Sequence, residues 1–98
     1  MHVIVWQFTA RAGMEREFER VYAADGEWAT LFARSARFLG TELLRATEGG
    51  AYLTIDRWES RDGFAAFQRQ WRLDYEALDR RSDTLTKEET LIGRFEII

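Results

Sequence analysis

Cysteine and proline are absent from this sequence, and histidine occurs once, as His2. Without cysteine the chain has no disulfide, no thiolate nucleophile and no cysteine-ligated metal site. A single histidine excludes a histidine cluster for a metal and disfavours a triad centred on histidine. We therefore expect no metal and no other cofactor, and we expect His2, at the start of the chain, to be exposed.

Long apolar runs and blocks of one charge are missing as well. The opening residues, MHVIVWQF, are too short an apolar run for a signal peptide, and no stretch approaches the roughly 20 apolar residues of a membrane span. The formal net charge is −3 and basic residues are mixed with acidic ones, unlike the charge pattern of a nucleic-acid-binding protein. These absences predict a soluble, cytoplasmic protein that binds neither membranes nor nucleic acid.

Aromatic residues are plentiful instead. The 98 residues include four Trp, seven Phe and three Tyr, and 46% of the residues are hydrophobic. A chain of this length forms one domain with one core, so we expect residues 1–98 to be a single domain. The chain has more bulky aromatic side chains than that core needs, and we expect some of them to line a cavity or a subunit interface.

Hydrophobic periodicity divides the chain into strands and helices. A glycine inside a predicted strand, Gly40, indicates a bulge or a close approach of the backbone. The predicted elements are a central strand at 2–9, a helix from 14 that is interrupted at 25–26 and ends near 35, strands at 38–47 and 51–58, a helix from the N-cap Ser60 to about 83, and a strand at 84–98 that is broken around 87–89.

This order predicts an α+β fold, the ferredoxin-like split β-α-β-β-α-β sandwich. Both helical regions cover one face of such a sheet and leave the other face open. The open face carries apolar side chains such as Leu53 and Ile55. An uncovered apolar face requires a partner, and we expect a homodimer joined through it.

One strand, 51–58, carries the best candidates for a site. Tyr52, Thr54, Asp56 and Trp58 alternate along it and therefore share one face. Polar groups framed by aromatic rings suit a small pocket, although core aromatics and an ion-paired aspartate produce the same pattern. Glu42 is a second candidate acid, but the face of the sheet on which it lies is undecided, because a bulge at Gly40 would change it.

The helix after this strand carries an aromatic stripe at spacings of three and four. Its members are core residues first and pocket walls second, and the two roles are compatible. We interpret Trp6 and Trp28 as packing residues that can also line a cavity. The predicted substrate-binding residues are Thr54, Phe64, Phe67, Trp71, Tyr75 and Trp6.

Several segments together resemble a known family. The junction Trp58-Glu59-Ser60 followed by Phe64, and the opening that runs from Val5-Trp6-Gln7-Phe8 to Gly13, resemble the antibiotic biosynthesis monooxygenase (ABM) domain family. The resemblance covers nearly the whole chain. It implies a dimeric α+β barrel built from two copies of the ferredoxin-like sandwich.

Two branches of that family make residue-level comparisons possible. The haem-degrading branch uses an Asn, a Trp and a His, and these fall on Gln7, Phe67 and Ala77; without the histidine that ligates iron, we do not expect haem degradation. The branch that oxidises polyketide anthrones uses an Asn, a Trp and a Tyr, and these fall on Thr54, Trp58 and Phe64. Only Trp58 is retained.

The resemblance implies a cofactor-independent monooxygenase for a small aromatic, polyketide- or quinol-like substrate. In this hypothesis the indole N–H of Trp58 stabilises the developing enolate, and Tyr52 or Asp56 manages the proton. Two alternatives stay open. One is a non-catalytic dimeric module that binds a small apolar ligand, and the other is a coenzyme-free isomerase or decarboxylase with Asp56 or Glu42 as its acid or base.

Overall fold

The backbone forms its elements in the predicted order. In the computed structural model, which describes residues 1–98, the elements are, in chain order, β1 (His2–Ala10), α1 (Glu15–Tyr22), α2 (Glu27–Phe32), β2 (Phe38–Arg45), β3 (Ala51–Trp58), α3 (Arg61–Gln70), α4 (Arg72–Ser82), a 3-10 turn (Asp83–Leu85) and β4 (Thr86–Glu96). Ser60 caps α3, because its hydroxyl accepts the backbone N–H of Gly63 at 3.0 Å.

The four strands form one antiparallel sheet in the order β2-β3-β1-β4. The two central strands, β1 and β3, supply most of the buried strand residues, and these pack with the helices into one core cluster. This is the ferredoxin-like α+β fold, and the prediction of it is confirmed. We call the face of the sheet that the helices cover the inner face, and the opposite one the outer face.

β3 alternates strictly between the two faces. Tyr52, Thr54, Asp56 and Trp58 are buried on the inner face, whereas the residues between them are half-buried. The common face predicted for these four side chains is therefore confirmed. A strand of this kind places polar and aromatic groups side by side under the helices.

Bulges set the faces of the edge strands. In β2, Phe38 opposes Trp58 but Gly40 opposes Arg57, so one extra residue is inserted and the bulge predicted near Gly40 is confirmed. In β4, a second register shift skips Ile92, since Val5 opposes Gly93 while Trp6 opposes Leu91. As a result, Leu91 and Arg94 both lie on the inner face although they are three residues apart.

The outer face carries apolar side chains that no helix covers. Leu44 and Phe95 are 43% and 50% exposed there, beside the half-buried Ile55. Glu42 opposes Ile55 on this face, and its carboxylate forms an ion pair with Arg57. Glu42 therefore points away from the helices, which settles the open question of its face.

Two predicted boundaries are wrong. The expected continuous helix from 60 to 83 is interrupted at Trp71, whose φ of −111° and ψ of 28° lie outside the helical region. The interruption lets α3 contact β3 while α4 contacts α2. The expected break at 87–89 does not interrupt the strand: β4 runs on from Thr86, and its pairing with β1 only skips Lys87.

His2 is buried, so the expectation that it is exposed is wrong. It is only 3% exposed because β1 begins at this residue, between Trp58 and Glu96 on the neighbouring strands. Burial lowers its pKa, with the charge of Arg94 adding to the effect. None of the helices has the length and apolar character that crossing a membrane requires.

Candidate functional site

A cavity of about 210 Å³ lies between the inner face of the sheet and the helices. Its floor is formed by β1, through Ile4, Trp6 and Phe8, and aromatic side chains of the helices form much of its wall. Three carboxyl groups and one arginine also line it. A small, partly open cleft with an apolar wall and a few polar groups is typical of a ligand-binding site.

Asp56 is the most deeply placed carboxyl of this cavity. It is 8% exposed, and Thr41, its direct partner on β2, donates a hydrogen bond from Oγ1 to the Asp56 Oδ1 at 2.6 Å. The second oxygen of Asp56 accepts no hydrogen bond. Burial raises the pKa of Asp56 to about 6, against the opposing effect of the Thr41 hydroxyl. Such a carboxylate can take a proton from a bound ligand near neutral pH.

Arg94 lies in the same cross-sheet row as Asp56. Both residues oppose Ile4, one from each side, and both line the cavity. Its guanidinium is 5.6 Å from the centre of the Phe64 ring, a cation–π distance. No carboxylate lies within 4.0 Å of it, whereas arginines such as Arg57 form ion pairs.

The mouth of the cavity is acidic where α4 lies beside β4. Asp79 and Glu89 line it, and their carboxylate oxygens lie within 4.8 Å of each other and of Asp83. Partial burial raises the pKa of both lining acids, and repulsion from Asp83 adds to this. All three residues are exposed and define the charge of the mouth, and the expectation that no metal binds stays a prediction.

Tyr52 lies outside the cavity lining although its side chain is on the inner face. Its hydroxyl donates a hydrogen bond to the Glu19 Oε2 at 2.6 Å, and burial together with this bond raises the pKa of the phenol. Its ring packs against Phe18, with centroids 4.7 Å apart. This arrangement ties α1 to the sheet.

Trp58 also lies outside the lining, sealed in an aromatic cluster. It is 0% exposed, and its indole Nε1 has no hydrogen-bond acceptor. Its ring centre lies within 5.4 Å of four other rings, those of Phe32, Phe38, Phe64 and Phe67. Its predicted catalytic role stays a prediction.

The predicted substrate-binding residues divide into two groups. Trp6, Thr54, Phe64 and Tyr75 line the cavity, whereas Phe67 and Trp71 do not. Phe67 belongs to the cluster around Trp58, and the Trp71 ring lies 4.8 Å from the Arg34 guanidinium. Trp28, interpreted first as a packing residue, is part of the wall.

Sequence reasoning missed Thr41, Asp79, Glu89 and Arg94, the polar lining residues that do not come from β3. Thr41 and Arg94 follow bulges, so their faces cannot be counted from local alternation. Of these residues, only Thr41 could have been found from the sequence, because the bulge predicted near Gly40 shows where the side chains of β2 change faces.

The fold and the cavity define a class, α+β sandwiches of the ferredoxin-like type whose helices close a ligand-sized cavity over one sheet face. Within that class, the profile of the family described as antibiotic biosynthesis monooxygenase (ABM) matches residues 1–70. The chain therefore belongs to the ABM family, and the resemblance noted from its sequence is confirmed. Among curated proteins, none matches this sequence.

Solved structures show the same fold. SnoaB from Streptomyces nogalater, described as a cofactor-independent oxygenase, is 27% identical, with a TM-score of 0.78 over 99% of this chain and 92% of its own. MhuD, solved as a mutant with two manganese protoporphyrin IX molecules per active site, is 24% identical (TM-score 0.72; 100% and 95% covered). Rv0793 from Mycobacterium tuberculosis is 13% identical (TM-score 0.70; 98% and 96% covered). The last two show similarity of fold alone.

Proposed function

We propose that this protein is a cofactor-independent monooxygenase for a small, flat aromatic compound with an acidic C–H bond, and that Asp56 is its base. The observation that carries the proposal is a buried carboxyl with a pKa of about 6 and one free oxygen in an aromatic cavity. The similarity to SnoaB, a cofactor-independent oxygenase, supports the same reaction class.

The reaction consumes one molecule of dioxygen and no other reactant. Asp56 removes a proton from the substrate CH₂, and the resulting enolate gives one electron to dioxygen. The radical pair combines into a peroxide, which accepts a proton from Asp56. Loss of the second C–H proton and cleavage of the O–O bond then leave a ketone and water, so that R₂CH₂ and O₂ become R₂C=O and H₂O. The protein supplies the base, an apolar enclosure and orientation.

The size of the cavity limits the substrate. A volume of about 210 Å³ lies below the roughly 300–1,000 Å³ typical of sites for drug-sized ligands. The aromatic floor and wall, which include Trp6 and Phe8, favour a planar molecule of a few fused rings. Anthrones are compounds of this kind.

Oxygen uptake with an anthrone, dithranol, tests the proposal. We expect Asp56→Asn to lower kcat/KM by about 10²–10⁴-fold, the usual contribution of a general base, and Asp62→Asn, an exposed aspartate outside the cavity, to leave it unchanged. In the unmodified protein kcat/KM rises with pH through about 6. If Asp56→Asn consumes oxygen at the unmodified rate, Asp56 is not the base.

A coenzyme-free isomerase is the second candidate, because Asp56 can move a proton without dioxygen. Under anaerobic conditions in D₂O, either enzyme exchanges the acidic C–H of a bound ligand for deuterium, which NMR detects. Exchange without oxygen uptake in air favours the isomerase. Binding without exchange favours the non-catalytic module, in which the cavity only holds an apolar ligand.

We also infer that the protein is a homodimer whose second copy covers the outer face. Support comes from membership of the ABM family and from the exposed Leu44 and Phe95 on a face that no helix covers. Sedimentation of Leu44→Glu beside the unmodified protein tests it, and we expect the variant to be a monomer. A monomeric unmodified protein would contradict the inference. The predicted cytoplasmic location stays a prediction.

A further inference from the structure

Arg94 is the one cationic residue among those that line the cavity. It faces the cavity from β4 only because the bulge at Ile92 shifts the register, so that Arg94 opposes Ile4 on the inner face. We propose that Arg94 is a further catalytic residue, which binds the oxygen that becomes negative when Asp56 removes the proton. This inference rests on the proposed function, since it assigns the enolate-stabilising group of that reaction.

The environment of Arg94 leaves its charge available to a ligand. No carboxylate is within 4.0 Å of the guanidinium, and Phe64 offers the face of a ring rather than a counter-ion. Trp58, the donor in the hypothesis from the sequence, is sealed away from the cavity. Arg94 is exposed, and the ring of Phe64 is the group its guanidinium packs against, so its donors are free to bind an oxyanion that develops in the cavity.

The spacing of the two residues selects a class of substrate. Asp56 and Arg94 flank Ile4 in one row, so their Cα atoms are two strand spacings, about 9.6 Å, apart. The two side chains reach the cavity from the strands on either side of β1. A ligand that meets both therefore carries its acidic carbon at one end and its oxygen at the other, as an anthrone does.

The acids at the mouth fix the orientation of the ligand. Asp79 and Glu89 repel a developing negative charge at the end of the cavity near Phe8, which Glu89 opposes, whereas Arg94 attracts it beside Ile4. A symmetric flat molecule would otherwise bind in either direction. The two charged sides leave one direction in which the C–H bond meets Asp56 while the oxygen meets Arg94.

A ligand that changes colour on ionisation tests the role of Arg94 without turnover. Alizarin, a hydroxyanthraquinone, is flat and is already a quinone, so the proposed reaction does not consume it. We expect binding to lower the pKa of its hydroxyl by at least one unit, which is a tenfold increase in acidity. Arg94→Gln abolishes this shift, Arg94→Lys keeps part of it, and Arg69→Gln, an exposed arginine outside the cavity, leaves it intact. No binding, or the same shift in Arg94→Gln, overturns the inference.

Oxygen uptake separates this inference from the proposed function. If the protein oxidises dithranol, we expect Arg94→Gln to lower kcat about 10²–10³-fold, as removal of one oxyanion donor does, with little change in KM. An effect on KM alone makes Arg94 a binding residue and overturns the catalytic role. If the unmodified protein consumes no oxygen, the proposed function fails, whereas the alizarin titration still decides whether Arg94 binds the anion.

Discussion

Asp56 and Trp58 are two residues apart on the same face of β3, yet their surroundings are opposite. Asp56 has a hydroxyl partner and a free oxygen on a cavity, whereas Trp58 is enclosed by aromatic rings with its N–H unpaired. Trp58 is the residue that matches the anthrone-oxidising branch of the family, and Asp56 is the one whose setting suits proton transfer. A residue type that matches the family therefore indicates the fold here, whereas the local environment indicates which residue suits proton transfer.

The largest effect that we expect is on stability, from Trp58→Ala. Replacing a fully buried tryptophan by alanine leaves a large void, and such changes cost about 3–5 kcal/mol of unfolding free energy. Urea denaturation followed by circular dichroism measures the loss. Trp71→Ala, at a half-buried ring, is the matched control and should cost less than half as much. Equal losses at the two positions would show that the cluster around Trp58 is not the centre of the core.

Asp56→Asn should change stability in a pH-dependent direction. The pKa of Asp56 is about 6 in the folded protein against a usual value of 3.8, so the folded state holds the proton more tightly than the unfolded chain. The stabilisation that the protonated Asp56 gives the folded state is fully present below about pH 4 and is lost as pH rises through 6. Because roughly two pKa units correspond to about 3 kcal/mol, the asparagine variant should be more stable by up to about 3 kcal/mol at pH 8.

Urea unfolding of the Asp56→Asn variant and the unmodified protein at pH 4 and pH 8 checks this prediction. Asp62→Asn, at an exposed position, serves as the control and should show no gain. A stability difference that is the same at both pH values would mean that Asp56 is hydrated, and it would remove the argument for a tuned base. Gained stability with lost oxygen uptake would show that the site keeps a costly charge for its chemistry.

Thr41→Val should shift the pH dependence of activity. The Thr41 hydroxyl favours the ionised form of Asp56 and so holds its pKa down. Valine has nearly the same shape without the donor, and a hydrogen bond to a charged group contributes about 1.5 kcal/mol or more. We expect the midpoint of the rise in kcat/KM to move upward by about one pH unit, while Thr54→Val, also on the lining, leaves the midpoint in place. An unchanged midpoint in Thr41→Val would contradict the assigned hydrogen bond.

The sequence predicted β3 and its neighbours well and the outer strands less well. Strict alternation from Tyr52 to Trp58 holds in the structure because the strand is central and regular. The edge strands each contain a bulge, and a bulge moves every later side chain to the other face. Arg94 and Thr41 therefore reach the cavity in a way that local periodicity does not reveal, and only pairing with the neighbouring strands fixes their faces.

The sequence also could not predict which residues on one face of a strand line the same cavity. The inner face of β3 serves two compartments, because rings from α2 and α3, those of Phe32 and Phe67, close over Trp58 but leave Asp56 open. Which of two neighbouring positions stays open depends on how distant aromatic side chains pack. Periodicity assigns each residue to a face, but it carries no information on that packing.

The smallest expected effect, from Trp58→Phe, is the sharpest test of the comparison. Phenylalanine keeps an aromatic ring in the cluster and removes the unpaired N–H, whose burial costs about 1–3 kcal/mol. This gain offsets the void that the smaller ring leaves, so stability should change by less than about 1 kcal/mol. Because Trp58 does not line the cavity, oxygen uptake should stay within about twofold. A fall of 10²-fold with unchanged stability would mean that the indole N–H reaches the substrate during turnover, and the donor role would return to Trp58.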